Sequence, residues 1–418
     1  KISLFSHLHG PYDGYCDILY FRSNNRREQK LKLTINKKQF LTSWGLAERS
    51  TSVSGATVNI LSSILVKADF EAVLLQATDV KTSITCRGEG ITVIEPGSAV
   101  FPIKMVSDLF KKAPGEEFTI EVSDGRVILK AGRSKYNFAC YPVNEFPALP
   151  SSNGAELFCR ISASDLARIL EEGTIAASAG EEFPLYLSSA NFQISNNMLR
   201  VVSTDTRRLA ISSAIAADGK DSESALLPMK GIKELQRILS ALSPDSEVAV
   251  LFDDAQFYFK TESLEFTIRR VESKFPPYEK ILPKSSTLSI VVDRALLISS
   301  FERVEVIVRD YNRMVVMDIE SSGIITLRGR APDFGSAKEE LSADAEGENL
   351  RIAVNSRFFL EALKVIRDPG VKITFNGQSG HISVRRSDSD DFLCLIAPIN
   401  MSEEELKMLD RDSSSDGI

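Results

Sequence analysis

The stretch Val201–Ile211 reads Val-Val-Ser-Thr-Asp-Thr-Arg-Arg-Leu-Ala-Ile and shows how the rest of the chain is divided. Its Thr204-Asp205 pair has a counterpart in Thr78-Asp79, which lies 126 residues earlier. The same offset carries the Phe-Pro-Ile-Lys segment around Pro102 onto the Leu-Pro-Met-Lys segment around Pro228. A period that holds at separate positions indicates duplicated domains.

The length of the chain fits this repeat. Its 418 residues are too many for one ordinary hydrophobic core and suit three domains of roughly 120–130 residues each. A further step of 126 residues from Pro228 reaches Val354, which lies in a third segment of the same kind. We therefore predict a disordered or non-native extension over residues 1–30, three similar domains over residues 31–151, 152–283 and 284–401, and a mobile acidic tail over residues 402–418.

Composition narrows the class of protein. Apolar residues make up 43% of the chain and charged residues 26%, which is the balance of a soluble globular protein. No apolar run reaches the ~18–20 residues that span a bilayer, and residues 1–20 lack the apolar region of a signal peptide. The five cysteines are scattered singly, so we expect reduced thiols in a cytoplasm. The formal charge of −7 argues against a protein that coats nucleic acid, but it leaves room for a local basic surface.

Each segment repeats one order of elements: a strand, a helix, two strands about a turn, a second helix and a hairpin. The Asp124-Gly125 pair, for example, is typical of a two-residue hairpin turn. We predict the first helices from Lys37 to about Arg49, over Leu166–Leu170 and over Leu296–Val308, and the second helices after Pro102, over Lys230–Leu239 and over Phe358–Ile366. The predicted fold class is α+β, with two helices packed on antiparallel strands in each of three tandem domains.

A search for catalytic residues finds no nucleotide-binding loop, no complete dinucleotide fingerprint and no nucleophile elbow. The three histidines and five cysteines show no spacing typical of a zinc site. We therefore predict no catalytic residue, no metal and no cofactor. The alternative is a nuclease or nucleotidyl transferase whose Mg²⁺ would bind Asp388, Asp390 and Asp391, although a short loop between two strands is more simply a solvated hairpin tip.

The second helix of each segment is net basic, with three cations against one carboxylate in every case. Because this balance recurs at three equivalent positions in an acidic protein, we predict one basic surface built from repeated helices. Its side chains would contact phosphates without reading bases. The cations are Lys104, Lys111 and Lys112 in the first segment, Lys230, Lys233 and Arg237 in the second, and Arg357, Lys364 and Arg367 in the third.

These segments resemble a known family, the bacterial sliding clamps that are the β subunits of DNA polymerase III. Residues Ser203–Ala210 read Ser-Thr-Asp-Thr-Arg-Arg-Leu-Ala and are similar to the family's Ala-Thr-Asp-Gly-His-Arg-Leu-Ala. The Phe-Pro exits at Phe146 and Phe275 and the Leu-Ile-Ala-Pro-Ile run that starts at Leu395 also fit the family. The resemblance covers the chain from Leu31 to Met401.

The resemblance implies a head-to-tail homodimer, the DNA-clamp fold, whose six domains form a ring around duplex DNA. Such a protein is a processivity factor with no chemistry of its own. It binds double-stranded DNA without sequence preference, and it binds the polymerase III alpha subunit, the clamp loader, other polymerases and repair proteins through short hydrophobic peptides of the Gln-Leu-x-Leu/Phe type. It acts in the bacterial cytoplasm, at the nucleoid, and not at a membrane.

In the family, the partner cleft lies between the second and third domains. The positions here that match its walls are Leu187, Thr204, Thr206, Arg207, Arg208, Leu209, Pro276, Lys280, Ile281, Phe358, His381, Leu395, Ala397, Pro398 and Ile399. Thr206-Arg207 replaces Gly-His, Ala397 replaces a Met, and Asn400 replaces an Arg, so a paralogue with altered partners stays an alternative. The acidic tail starts close to this cleft and could cover part of it.

The resemblance also implies a dimer seam and further DNA contacts. The matching seam positions are Arg133, Lys135, Tyr136 and Phe138 in the first segment and Val306, Ile307, Glu339 and Glu340 in the third. Among DNA contacts, the resemblance supports Lys230 and adds Tyr186. An Arg of the family falls on Gly55, so that contact is expected to be lost.

Overall fold

The computed structural model describes residues 30–51, 59–180, 182–219 and 224–401. The predictions for the extension up to residue 29, for Gly55 and for the tail over residues 402–418 lie outside the described residues. What is described forms two compact units, residues 30–151 with 259–267 and residues 152–258 with 268–401. In the following, the first, second and third segments are residues 31–151, 152–283 and 284–401.

The described residues of the first segment form two helices and nine strands. They are β1 (Leu31–Asn36), α1 (Lys37–Glu48), β2 (Ser63–Ala68), β3 (Val73–Thr78), β4 (Thr82–Arg87), β5 (Ile91–Glu95), β6 (Gly97–Pro102), α2 (Ile103–Lys112), β7 (Glu117–Ser123), β8 (Arg126–Ala131) and β9 (Ser134–Ala139). One antiparallel sheet has the order β5-β1-β7-β8-β9, and β4, β3, β2 and β6 pair in that order in another. The predicted hairpin at Asp124-Gly125 joins β7 to β8 and is confirmed.

Aromatic side chains fill the core of the first segment. Phe40 and Trp44 of α1 meet Phe110 of α2 at ring-centroid distances of 5.1 Å each. Phe118 of β7 stacks on Phe110 at 5.2 Å. All four rings are at most 2% exposed, so their burial, at roughly 1.5–3 kcal/mol for each large side chain, holds the two helices on the sheet.

The second and third segments repeat this plan. The second contains β10 (Glu156–Ser162), α3 (Ala163–Gly173), β11 (Ser189–Ser195), β12 (Met198–Thr204), β13 (Arg208–Ile215), β14 (Ala225–Pro228), α4 (Met229–Leu239), β15 (Glu247–Phe252), β16 (Gln256–Lys260) and β17 (Leu264–Arg269). The third contains β18 (Leu288–Asp293), α5 (Arg294–Val308), β19 (Met314–Ile319), β20 (Ile324–Ala331), β21 (Gly335–Ser342), β22 (Asp344–Gly347), β23 (Leu350–Asn355), α6 (Ser356–Val365), β24 (Gly370–Phe375), β25 (Ile382–Arg386) and β26 (Phe392–Ile396).

The second and third segments share a sheet. Its nine strands have the order β14-β11-β12-β13-β26-β25-β24-β18-β22, and β13 of the second segment pairs antiparallel with β26 of the third. A separate four-stranded sheet of the third segment has the order β21-β20-β19-β23. The stretch that defined the repeat, Val201–Ile211, is therefore the hairpin that leads to the junction of two segments.

The first helix of every segment starts in the same way. A short polar side chain directly before the helix accepts a hydrogen bond from a backbone N–H of the first turn: Asn36 from Gln39 (3.3 Å), Ser162 from Asp165 (3.1 Å) and Asp293 from Leu296 (2.8 Å). Such caps satisfy amide groups that would otherwise lack a partner. The predicted helices are confirmed, and the one predicted over Leu166–Leu170 is longer, Ala163–Gly173.

No described helix combines the length and the apolar character that crossing a bilayer requires. In the part of the chain that the structure describes, Cys86, Cys140, Cys159 and Cys394 are free thiols.

Candidate functional site

The tip of the β12–β13 hairpin is a turn built by two side chains. The Thr204 Oγ1 donates a hydrogen bond to the Arg208 carbonyl (2.7 Å) and accepts one from the Thr206 N–H (3.1 Å). The Asp205 carboxylate accepts hydrogen bonds from the N–H groups of Arg207 (3.0 Å) and Arg208 (2.9 Å). Thr206 has a φ of 73°, a left-handed conformation that these bonds hold in place. Asp205 therefore stabilises the backbone of the turn, and this structural role explains its presence without a catalytic one.

The same turn recurs in the first segment. The Thr78 Oγ1 donates to the Thr82 carbonyl (2.7 Å), and Asp79 accepts from the N–H groups of Lys81 (3.0 Å) and Thr82 (2.7 Å). Val80, at the position of Thr206, has a φ of 75°. A β-branched residue in this conformation shows how strongly the Thr-Asp pair fixes the turn.

Arg208 leaves this turn toward the third segment and is buried, with its side chain 5% exposed. Its guanidinium pairs with Asp205 (3.0 Å) and with Glu361 of α6, and it lies 4.4 Å from the ring centre of Phe358. Burial alone would raise the pKa of the Glu361 carboxyl, but hydrogen bonds from Arg357 and Arg208 hold this pKa below its ordinary value. Arg208 therefore fastens the hairpin to α6.

A group of apolar side chains, here named the linker cluster, covers the outer face of the shared sheet beside this turn. It consists of Val202, Leu209, Tyr278, Leu393 and Leu395. Leu209 and Leu395 face each other across β13 and β26 and are 2% and 1% exposed. They form the floor of the predicted cleft but are not accessible on it.

Tyr278 belongs to the segment that joins the second and third segments, and it closes the linker cluster. Its hydroxyl donates a hydrogen bond to the Gln193 side-chain carbonyl of β11 (2.7 Å). Burial raises the pKa of Tyr278 to about 12, and the nearby charge of Glu279 acts in the same direction. Tyr278 therefore stays a neutral donor at physiological pH. Leu282 packs against the cluster, and its chain neighbour Ile281 is 46% exposed.

A second apolar group, the exit cluster, lies on the outer face of the four-stranded sheet. It consists of Met314, Val316, Ala353, Ile399 and Met401. The chain reaches it directly from the shared sheet, because the Ala397 N–H donates to the Arg207 carbonyl (2.8 Å) and the Ile399 N–H to the Ala353 carbonyl (2.8 Å). The two clusters are thus connected by the short segment 397–399.

The other predicted wall residues differ in exposure. Thr206, Arg207, Lys280 and His381 are exposed, Leu187, Pro276, Phe358, Ala397, Pro398 and Ile399 are half-buried, and Thr204 is buried. The sequence pattern does not predict one neighbour of these wall residues, the segment that follows α3. Together with Phe358 and Val365 of α6, residues 175–180 line a cavity of about 570 Å³ beside Arg208. Small residues such as Ala177, Ala179 and Gly180 create this space and give no hydrophobic pattern by which to find it.

Comparison with known proteins identifies the repeat. Family models of the DNA polymerase III beta subunit match in order: the N-terminal domain at residues 31–150, the central domain at residues 160–277 and the C-terminal domain at residues 279–400. The chain belongs to the DNA polymerase III beta subunit family. The predictions of this family, of three tandem clamp domains, of a replication sliding clamp and of a subunit without catalysis of its own are therefore confirmed.

Relatives cover nearly the whole clamp. A beta sliding clamp of Pseudomonas putida is 29% identical over 347 residues, 82% of this chain and 93% of the relative. One of Staphylococcus epidermidis is 26% identical over 378 residues, 88% of this chain and 99% of the relative. The crystal structure of the DNA polymerase III subunit beta from Pseudomonas aeruginosa superposes with a TM-score of 0.82 at 26% identity, and that of the DNA polymerase sliding clamp from Bacillus subtilis with 0.83 at 25%. These superpositions cover 88% and 89% of this chain and 100% of each relative.

The cations of the predicted basic surface of the clamp lie on or directly after α2, α4 and α6, and all nine are exposed. Several of these cations form ion pairs with neighbouring carboxylates, which offset their positive charge, most of all in the third segment. There Arg357 pairs with Glu361 (2.8 Å), Lys364 with Glu302 (2.8 Å) and Arg367 with Glu171 (3.1 Å). The predicted DNA contact Tyr186 is half-buried, and its ring packs edge-on against Phe275 at 6.0 Å.

Among the described edge strands, β9 and β21 carry residues of the predicted dimer seam. β9 ends the five-stranded sheet of the first unit and carries Lys135, Tyr136 and Phe138, the last two half-buried. In the other unit, β21 ends the four-stranded sheet beside α5. Val306 of α5 is 61% exposed, whereas Ile307 packs partly into the core.

The predicted charge partners on β21 already have intrachain partners. Glu339 pairs with Arg303 of α5 (2.6 Å), and Glu340 pairs with Lys338 (3.0 Å). The hydrogen bond from Arg303 holds the pKa of the Glu339 carboxyl below its ordinary value. Any contact that these carboxylates make with Arg133 or Lys135 of a second copy would have to compete with these pairs.

Arginines surround the acidic loop of the alternative hypothesis. Asp390 pairs with Arg385 (3.1 Å), and Asp391 pairs with Arg168 (3.0 Å) and Arg386 (2.8 Å). Within the described ranges, no three His, Cys, Asp or Glu side chains converge on a point where a metal ion could bind. Two of the three carboxylates of the loop are therefore already paired with cations, which favours the solvated hairpin tip over a Mg²⁺ site.

Proposed function

We propose that two copies of this clamp join head to tail into a ring around duplex DNA and hold the replicative polymerase on its template. The observation that carries the proposal is the match of all three segments, in order, to one family of sliding clamps. The free edges β9 and β21 support it, because an exposed strand edge is a ready surface for pairing with another chain. On this proposal the clamp acts in the cytoplasm, at the nucleoid.

The exposed cations of α2, α4 and α6 would face the DNA in such a ring. Lysine and arginine contacts to phosphates are independent of sequence and weaken with salt. Because each contact is weak and equivalent along the helix axis, the ring would slide, while its closure would prevent it from leaving. Holding the polymerase in this way requires no catalytic group in the clamp.

The proposed ring predicts that retention depends on DNA topology. Clamp loaded onto nicked circular DNA should remain on it during gel filtration, and it should dissociate once a restriction enzyme linearises the circle, because only a linear molecule offers an end. Retention is measured as the fraction of labelled clamp that elutes with DNA before and after the cut. Equal retention on both forms would contradict the ring.

The linker and exit clusters would together bind the short hydrophobic peptides of the polymerase, the clamp loader and repair proteins. Ile281 and the half-buried Leu187 supply the accessible apolar surface on one side, and Pro398 and Ile399 supply it on the other. Exposed Arg207 and Lys280 add positive charge to the rim, which suits peptides with acidic neighbours. Ala397, smaller than the residue it replaces in the family, would widen the floor.

Ile281→Asp should weaken binding of a fluorescein-labelled peptide ending in Gln-Leu-Ala-Leu-Phe by about 10- to 100-fold. The substitution places a carboxylate where the peptide would remove it from water, at a cost of roughly 1–3 kcal/mol. Ile94→Asp is the matched control, because Ile94 is 50% exposed and lies on β5 of the other unit. Fluorescence anisotropy measures both affinities, and equal values for the two variants would refute the cleft.

A further inference from the structure

The described chain ends at the edge of the proposed cleft. Met401 packs in the exit cluster, and the Ile399 N–H is held by the Ala353 carbonyl at 2.8 Å. The Ala397 N–H is held by Arg207, a rim residue of the cleft. The direction in which residues 397–401 run is thus fixed by hydrogen bonds and packing, and the seventeen residues that follow start from this point.

Those residues have the composition of a ligand for such a cleft. Residues 402–410 read Ser-Glu-Glu-Glu-Leu-Lys-Met-Leu-Asp, so Leu406, Met408 and Leu409 form a compact apolar group in an otherwise polar stretch. Over residues 402–418 there are six carboxylate side chains and two cations. An acidic segment with an apolar centre complements an apolar cleft with a basic rim.

The length of the connection permits the contact. Leu406 is five residues and Leu409 eight residues beyond Met401. At about 3.3–3.6 Å per residue, an extended chain spans roughly 16–29 Å over these intervals. Leu395 of the linker cluster and Ile399 of the exit cluster are only four residues apart, at most about 14 Å, so this reach is enough to contact both clusters.

We propose that the segment Glu403–Asp410 binds intramolecularly in the cleft, with Leu406, Met408 and Leu409 on the linker and exit clusters, and competes with partner peptides. The inference rests on the proposed function of the cleft. Because the segment is joined to the clamp only a few residues away, its local concentration at the cleft is in the millimolar range, and weak binding suffices to occupy the cleft for much of the time. A partner would have to displace the tail, which would favour partners whose peptides bind tightly or that carry several such peptides.

The test compares the full chain with a variant that ends at Met401, using the same labelled Gln-Leu-Ala-Leu-Phe peptide. Deletion should tighten the apparent Kd about 3- to 10-fold. The triple variant Leu406→Ser, Met408→Ser, Leu409→Ser should reproduce this gain, whereas Asp412→Asn with Asp416→Asn, outside the apolar group, should not. A synthetic peptide of residues 402–418 should bind the shortened chain and lose that binding when Ile281→Asp is added.

The possible failures are distinguishable. Equal affinity of the full and shortened chains for the labelled peptide would overturn the tail proposal and leave the cleft intact. Absence of binding to both, with unchanged far-UV circular dichroism, would refute the cleft and the tail proposal with it. A gain on deletion that grows with protein concentration would assign the tail to the cleft of a second copy and overturn the intramolecular contact.

Discussion

Glu172→Gln lowers the free energy of unfolding by about 1.5–3 kcal/mol, whereas Glu171→Gln, one residue earlier on α3, changes it by at most about 1 kcal/mol. Glu172 is 1% exposed and lies among Arg386 of β25, Arg168 (3.3 Å) and the Ser212 hydroxyl (2.6 Å). Removing its charge deprives both arginines of their most buried counterion and leaves them only the more exposed carboxylates of Asp165, Asp368 and Asp391. Glu171 is 53% exposed and pairs with Arg367 in solvent, where an ion pair contributes little.

The measurement uses two probes, because the clamp has a single tryptophan. Trp44 is buried in the first unit, and its indole N–H donates to Glu48 and Ser107 there, so its fluorescence reports that unit. Far-UV circular dichroism reports the whole chain. In urea, Glu172→Gln should lower the midpoint of the circular-dichroism transition more than that of the fluorescence transition, because the substitution lies in the other unit. Circular-dichroism midpoints that agree between the two Gln variants would contradict the expectation.

The repeat could be predicted from sequence because its signals are local. The Thr-Asp turns at Thr78 and Thr204 satisfy their own backbone within five residues, so the same residues build the same turn in both segments. The helices can be predicted from sequence because their apolar side chains recur at helical spacing. Short strands such as β2 and β5 were missed, because neither offers a regular alternation of apolar and polar residues next to a clear turn.

The parts of the site that sequence did not predict depend on which element faces which. Arg208 is expected on the wall of the cleft, but its side chain is buried because it contacts Glu361 and Phe358 of α6, far along the chain. The sequence shows only the charges within or next to α6. In the structure, Glu302 of α5 pairs with Lys364 and Glu171 of α3 pairs with Arg367. Leu209 and Leu395, expected to line the cleft, are buried. Each of these facts requires contacts between distant segments, which no window of sequence contains.

Val306→Asp is expected to abolish the proposed dimer and, with it, retention on nicked circular DNA. Val306 is 61% exposed on α5, the helix that packs beside the free edge β21, so it would lie at the contact with β9 of a second copy. A carboxylate there would lose its water against an apolar surface and weaken association at least ~100-fold. Sedimentation should show a mass of 46.1 kDa where the unmodified clamp shows twice that value.

Leu296→Asp is the control for this expectation. Leu296 is 58% exposed near the other end of the same helix, so both substitutions add the same charge to the same element at similar exposure. The control should keep the dimer and its retention on the circle, because it lies away from the predicted seam. Loss of the dimer in both variants would indicate damage to α5 rather than to an interface. A Val306→Asp protein that stays dimeric would contradict a seam beside β21.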